Sequence, residues 1–377
     1  MSRAATSLSD LICELVAIES VNPDLVPSGS GETAIAQYVA SWMSAAGLDV
    51  EIVEPVPGRP SVVSVLRGTG GGRSLMLNAH MDTVGAGGMP DAFSPRVEEE
   101  RIYGRGAYDM KASLAAIMIT AREAARLRLK GDLIITAVAD EEVASLGTSA
   151  VIERYRADAA IVTEPTELRL CLAHKGFVWL EVETTGVAAH GSRADLGVDA
   201  IANMGQVLTG VLDLNERLRS GARHPLLGTG SIHASLIEGG QEMSTYPARC
   251  VAKLERRTIP GEKLFPIHGE VPGEAGGWGP LISEGDQVTA RVLLERAPSE
   301  LPPDHPVSKV VAEAAGQPDI IGVAYWMDMA LTNAAGIPTV AYGPIGEGAH
   351  ADVEWVDRAS VEKCVDVYLK AAEQLCN

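Results

Sequence analysis

The chain has 377 residues, 46% apolar and 21% charged, a balance that fits a globular protein and excludes a disordered one. Fifty acidic against 31 basic residues give a formal charge of −19, which leaves no basic footprint for a phosphate backbone and argues against nucleic acid as a partner. At roughly 150 residues per domain the length predicts more than one domain.

Leu8, Leu11, Ile12, Leu15 and Val16 fall at helical spacing with Ser7 or Ser9 as cap, so the chain opens with an amphipathic helix. Asp10 and Glu14 lie inside that apolar pattern, which neither a signal peptide nor a membrane span tolerates. The five cysteines are scattered and lack Cys-x-x-Cys spacing, predicting neither a disulfide framework nor a thiolate zinc site. Together these features point to a cytoplasmic protein that does not enter a membrane.

A second helix is predicted over about 33–46, with strands over 50–53 and 61–66. The glycine cluster at 68–72 lacks the Gly-Lys-Ser/Thr ending of a phosphate loop and leads into the apolar run Leu75-Met76-Leu77, so it reads as a hairpin turn. Residues 111–128 are rich in helix formers, with Asp109 placed as their cap. A strand at 133–139, a helix near 147–156 and a buried strand at 159–162 follow. Strands alternating with helices predict a parallel sheet covered on both faces.

After Cys171 the texture changes. FVWLEVETTG alternates apolar and polar residues, a long helix spans about 198–218, and GSIHASLIEGG and ARCVAKLERRT alternate again. That pattern predicts a one-sided antiparallel sheet with helices in a separate α+β domain over 173–295. Past Pro302 the helix at 306–315, the strand at 338–342 and the closing helix at about 360–374 return to the first pattern. Residues 1–172 and 296–377 therefore form one discontinuous α/β domain.

Several residues able to bind metal share one placement. His80 follows SLMLNA, Glu141 and Glu142 follow LIITAVAD, Glu164 follows AAIVT, and His350 closes the loop after PTVAYG. Functional loops gather at the carboxyl edge of open parallel sheets, so these side chains can converge, and Asp109 joins them from a helix start. Each alone has a plain structural explanation; the shared placement is what signals a site. Two histidines and several carboxylates without thiolate suit Zn²⁺, Mn²⁺ or Co²⁺. Three carboxylates, two divalent ions and one hydroxide form a neutral set that a dry pocket can hold. His80 and Asp82, two apart on extended chain, point the same way, so the carboxylate can reach the second imidazole nitrogen.

The ordered segments LNAHMDTV, YGRGAYDMKASLAA, ADEEVASLGT, VTEPT, AAHGS, ERRTIPGE and GEGAHADVEWV resemble the co-catalytic zinc hydrolases that include aminoacylase, acetylornithine deacetylase, succinyl-diaminopimelate desuccinylase and glutamate carboxypeptidase. The resemblance runs from about residue 10 to 370. It implies two zinc ions bridged by Asp109, with His80 and Glu164 on one and Glu142 and His350 on the other. It further implies Glu141 as general base and Asp82 as the partner of His80. The second domain would be a lid and dimerisation domain, making the protein a homodimer. There His190 would stabilise the oxyanion and Arg257 would grip a substrate carboxylate. Ser244 stands where the family commonly has Asn, Glu255 replaces Asp, and Ala112 replaces Gly. The implied reaction is hydrolysis of an N-acyl amino acid by metal-activated water. A dipeptidase or carboxypeptidase is the alternative within that chemistry, and a silent ligand-binding relative a more distant one.

Overall fold

A computed structural model of the chain describes residues 7–262 and 287–377. The elements up to the middle of the chain are α1 (Leu8–Val16), α2 (Thr33–Ala45), β1 (Asp49–Val53), β2 (Ser61–Leu66), β3 (Leu75–His80), β4 (Arg96–Glu98), β5 (Arg101–Tyr103), α3 (Ala112–Ala124), β6 (Leu133–Val138), α4 (Leu146–Arg154), β7 (Ala159–Val162) and β8 (Leu170–His174). Next come β9 (Gly176–Thr185), α5 (Ala200–Ser220), β10 (Ser231–Gly239), β11 (Arg249–Thr258), β12 (Val288–Arg296) and β13 (Ser299–Glu300). The chain closes with α6 (Pro306–Ala315), β14 (Ile320–Val323), α7 (Met329–Ala334), β15 (Thr339–Ala341), β16 (Gly346–Glu347), β17 (Trp355–Asp357) and α8 (Arg358–Cys376).

These elements form two compact units. One comprises Met1–Leu172, Leu301–Ile321 and Met327–Asn377; the other comprises Ala173–Glu300 and Gly322–Trp326. Residues 296–300 and 322–326 thus group with the second unit, outside the 173–295 span read from texture.

The first unit is built on a mixed sheet in which β1, β2, β6, β3, β7, β15 and β8 are successive neighbours. Its four central strands, β6, β3, β7 and β15, run parallel, while the β1–β2, β2–β6 and β15–β8 pairs are antiparallel. The central strands are apolar and buried on both faces, as a helix-covered parallel sheet requires. On one face Val63, Val65, Met76, Ile134, Val138 and Ala160 pack with Val151 of α4. On the other, α3 and α8 lie against β3 and each other. Because the four strands share a direction, their carboxyl ends open on one edge. A smaller antiparallel sheet, β16-β17-β5-β4, carries the loops beside that edge.

The glycine-rich stretch does not turn a hairpin. β6 lies between β2 and β3, and the stretch crosses over it, with the amides of Thr69 and Gly70 donating to the carbonyls of Leu129 and Lys130 at 2.9 and 2.8 Å. A Cβ on Gly68 would stand 2.2 Å from the Lys130 carbonyl oxygen, so the glycine serves close approach to the segment leading into β6.

The second unit has the antiparallel sheet β10-β11-β9-β12 with α5 on one face. Ala200, Met204, Val207, Val211 and Leu214 alternate four and three apart, forming one stripe of α5. The stripe covers Val178, Leu180 and Val182 of β9 and Ala252 and Leu254 of β11. Full burial of each larger side chain contributes about 1.5–3 kcal/mol. The alternation read in GSIHASLIEGG fails beyond Ile232, where a bulge at Ala234/Leu236 leaves Leu236 and Ile237 65% and 56% exposed on an edge strand. No described helix is long and apolar enough to cross a membrane, and the five cysteines are free thiols.

Candidate metal centre

The parallel strands deliver the predicted residues to one place. His80 is the last residue of β3; Glu141 and Glu142 lie just beyond β6, Glu164 just beyond β7, and His350 on the loop after β15 and β16. Asp109 reaches them from the turn before α3. It does not cap that helix, whose N-cap is Lys111 without a side-chain bond; Asp109 itself has non-helical angles (φ −116°, ψ 92°) inside a π-type turn, Ala107–Lys111. Its carboxylate turns instead toward two histidines. Oδ1 lies 3.0 Å from His80 Nε2 and Oδ2 3.5 Å from His350 Nε2.

Around this bridge His350 Nε2 is 3.0 Å from Glu142 Oε2, and His80 Nε2 is 3.7 Å from Glu164 Oε1. Two sets of potential ligand atoms each lie within 4.8 Å: His80, Asp109 and Glu142, and His80, Glu141 and Glu164. Glu141 therefore stands among the ligand-capable groups. A glycine fixes one wall, since a Cβ on Gly343 would come within 2.1 Å of the Glu164 carbonyl oxygen.

Asp82 is fully buried beneath the pair, but its link to His80 differs from the expected one. His80 Nδ1 is 2.9 Å from the Asp82 carbonyl oxygen and 3.5 Å from carboxylate Oδ1. The carboxylate mainly accepts from the amides of Glu141 and Glu142, at 3.1 and 3.2 Å, and from Asn22 Nδ2 at 2.8 Å. Asn22 Nδ2 also reaches Asp140 Oδ1 at 3.0 Å, and Arg59 donates to Asp140 at 2.7 Å while forking onto Glu32 at 2.8 and 2.9 Å. Asn22, Glu32, Arg59 and Asp140 escaped the sequence reading. No local pattern marks them, because each acts through partners distant in sequence.

The electrostatics express crowded acid. Burial, then Glu164, pushes the Glu141 carboxyl well above its usual range; burial and Asp109 do the same to Glu164 and raise Glu142. The Asp109 and Glu142 carboxylates push His350 up to about 10. His80 is held well above its ordinary value, the acids overcoming the opposing effect of burial, and Asp109 well below its own by the two histidines despite burial. A pocket that drives three glutamates toward their neutral forms lacks positive charge. With only imidazole and carboxylate donors, hard-to-borderline divalent ions fit it.

The remaining predicted residues belong to the second unit. His190 is exposed on a loop, its Nδ1 2.9 Å from Ser192 Oγ. It pairs with Thr245, and the Gly191 amide donates to the Ser244 carbonyl at 2.6 Å, so His190 and Ser244 are neighbours. Arg257 lies on β11, with Nε 2.5 Å from Glu255 Oε1 and its guanidinium 5.3 Å from the Phe177 ring centre.

Imidazoles and carboxylates gathered at the carboxyl edge of a parallel sheet are the equipment of a metallohydrolase. The chain belongs to the peptidase family M20/M25/M40, whose model matches residues 76–374. It is 28% identical to the acetylornithine deacetylase of Proteus mirabilis, an alignment covering 97% of this chain and 96% of that protein. Its fold is similar to that of aminopeptidase PepT from Bacillus cereus, with a TM-score of 0.79 at 18% identity over 98% of both chains. It is likewise similar to Bacillus subtilis YXEP, described as a dinuclear metal binding peptidase of the M20 family, with a TM-score of 0.70 at 15% identity over 98% of this chain and 97% of that one. The protein is accordingly a hydrolase acting on amide or peptide bonds.

Proposed function

We propose that this protein is a deacylase that hydrolyses the amide bond of an N-acyl amino acid, in the manner of its acetylornithine deacetylase relatives. The observation that carries the reading is Asp109, whose two oxygens face His80 and His350 separately. His80 and Glu164 would hold one ion and Glu142 and His350 the other, with Asp109 shared between them. Two divalent ions, zinc first with Co²⁺ or Mn²⁺ as alternatives, would supply an acidic bound water and polarise the scissile carbonyl.

Glu141 takes the proton of the attacking water and returns it to the leaving amine; its carboxylate lies within 4.8 Å of ligand-capable atoms of His80 and Glu164, in reach of that water. Asp82 holds the Glu141–Glu142 backbone and the His80 ring in one arrangement. On the second unit, read as lid and dimerisation domain, His190 stabilises the oxyanion and Arg257 forks onto the substrate carboxylate. Ser244 makes a shorter substrate contact. The exposed Leu236 and Ile237 on the β10 edge support a homodimer. Cytoplasmic placement agrees with the five free thiols.

The test is zinc-loaded enzyme on N-acetyl, N-succinyl and N-formyl amino acids beside dipeptides, read as free amine. Amine released from the acyl amino acids is expected, and Glu141→Gln should lower kcat by about 10²–10⁴ while retaining metal. Release from dipeptides alone would reassign the substrate class, and a Glu141→Gln enzyme turning over at the wild-type rate would refute the base.

A further inference from the structure

The bridging carboxylate is aimed from outside its own element. The turn that carries Asp109 departs from helical geometry at Asp109 and Met110, and amides at its start converge on one buried side chain, Glu354, which is 1% exposed. Glu354 Oε1 accepts from the amides of Tyr108 at 2.9 Å and Asp109 at 3.0 Å. Oε2 accepts from the amide of Gly106 at 3.0 Å and from Arg105 Nη1 at 2.6 Å. Three backbone N–H groups and a guanidinium thus surround a single carboxylate, an anion nest closed by a charge-assisted bond.

The small sheet fixes where that carboxylate stands. β17 pairs with β5, setting Trp355 opposite Tyr103, and the Gly104 amide donates to the Glu354 carbonyl at 3.2 Å. Arg105 completes a clasp by donating to the carbonyls of Gly85 at 3.1 Å and Ala351 at 2.8 Å. Ala351 is the residue after His350. One ion pair therefore holds both the backbone of Asp109 and the chain beside His350.

We propose that Glu354 is a positioning residue for the bridging carboxylate: it sets the tilt of Asp109 and couples it to the His350 loop, so the position assigned to Glu142 and His350, which depends on both, feels its loss more than the His80–Glu164 position, which depends on Asp109 alone. The inference rests on the ligand assignment under Proposed function. An isosteric glutamine cannot substitute, because its amide group would place N–H against either Arg105 and the Gly106 amide or the Tyr108 and Asp109 amides.

The test is calorimetric titration of the metal-free full chain with Zn²⁺, repeated with Co²⁺ by absorption, for wild type, Glu354→Gln and Glu354→Asp. Urea unfolding of each metal-free protein runs in parallel. Two binding events are expected in the wild type. In Glu354→Gln one should weaken about 10- to 100-fold, the range that outer partners of metal ligands command, and the other, which shares only Asp109, should weaken clearly less. Glu354→Asp, which keeps the charge, should restore part of the loss. Wild-type binding of both ions by Glu354→Gln would overturn this inference alone. Equal weakening of both events in both variants, together with a fall in metal-free stability, would reduce Glu354 to a structural residue. A wild type that binds fewer than two ions would overturn the ligand assignment and this inference with it.

Discussion

Replacing Arg59 by methionine removes the cation from a buried acidic network. The Arg59 side chain is 7% exposed, and those of Glu32 and Asp140 are not exposed at all. Asp24, 58% exposed, contributes little. Leaving buried carboxylates without their partner costs about 3–5 kcal/mol. The loss should depend on pH. Burial already holds the Glu32 carboxyl above its ordinary range, with Arg59 opposing and Asp82 reinforcing that shift. Without Arg59 it rises further, so the folded variant retains a proton that the unfolded chain has released. Stability of the variant then falls as pH climbs through that raised range, and the penalty shrinks toward the ordinary carboxylate pKa, by about 1.4 kcal/mol per unit. Urea unfolding at pH 5.5 and pH 8 measures this, with the larger penalty expected at pH 8. Arg59→Met/Glu32→Gln should recover part of the loss. A penalty below about 1 kcal/mol, a pH-independent penalty, or a double variant no better than the single one would refute the reasoning.

Gly343→Ala should push the Glu164 backbone away, since its Cβ would stand 2.1 Å from the Glu164 carbonyl oxygen and 2.7 Å from that of Thr163; metal affinity and stability should both fall, measured by titration beside unfolding. Burial pushes His174 down to about 4, against the opposing bond to the Lys175 carbonyl, and its Nε2 has no hydrogen-bond partner among the described residues. The unfolded chain therefore binds a proton at His174 that the folded one refuses, so this contribution, about 3 kcal/mol, is present above pH 6.5 and lost as pH falls toward 4. His174→Phe should flatten that acid limb in unfolding followed by tryptophan fluorescence, and an unchanged slope would refute it.

What the sequence disclosed follows from how local each signal is. His80, Glu141, Glu142 and Glu164 stand beyond short apolar runs, and strand–helix alternation gives those runs a common direction, so their convergence is readable. For Asp109 only the capping expectation fails, because an acid before an alanine-rich helix is the ordinary capping signature; its place among the ligands is legible from the strand-end clustering and the family resemblance. Its true partners, His80 and His350, lie 29 and 241 positions away. The hairpin reading of the glycine cluster fails because β6 enters between β2 and β3 only after β3, β4, β5 and α3 have been laid down, and no local pattern records that insertion. Asn22, Arg59 and Glu354 were invisible for the same reason.

Those invisible residues explain how so much acid stays in place. Asp82, Asp109, Asp140, Glu141, Glu142 and Glu164 crowd one rim, and Asp328 beneath them is pushed up to about 6 by burial. The fold supplies each supporting acid with donors before any ligand arrives: Asn22 and two amides for Asp82, Arg59 and Asn22 for Asp140, Arg105 and three amides for Glu354. Glu142 has the His350 imidazole, but among the described residues no comparable set of amides and guanidinium serves Glu141, Glu142 or Glu164, and burial raises their proton affinity. The division is functional. Acids that shape the pocket are neutralised by protein, whereas those facing its centre keep an unmet demand for positive charge that divalent ions satisfy and that protons satisfy in their place. On the proposed ligand set, uptake of the ions should release protons, and the outer network of Asn22, Arg59 and Arg105 would hold the geometry through that exchange.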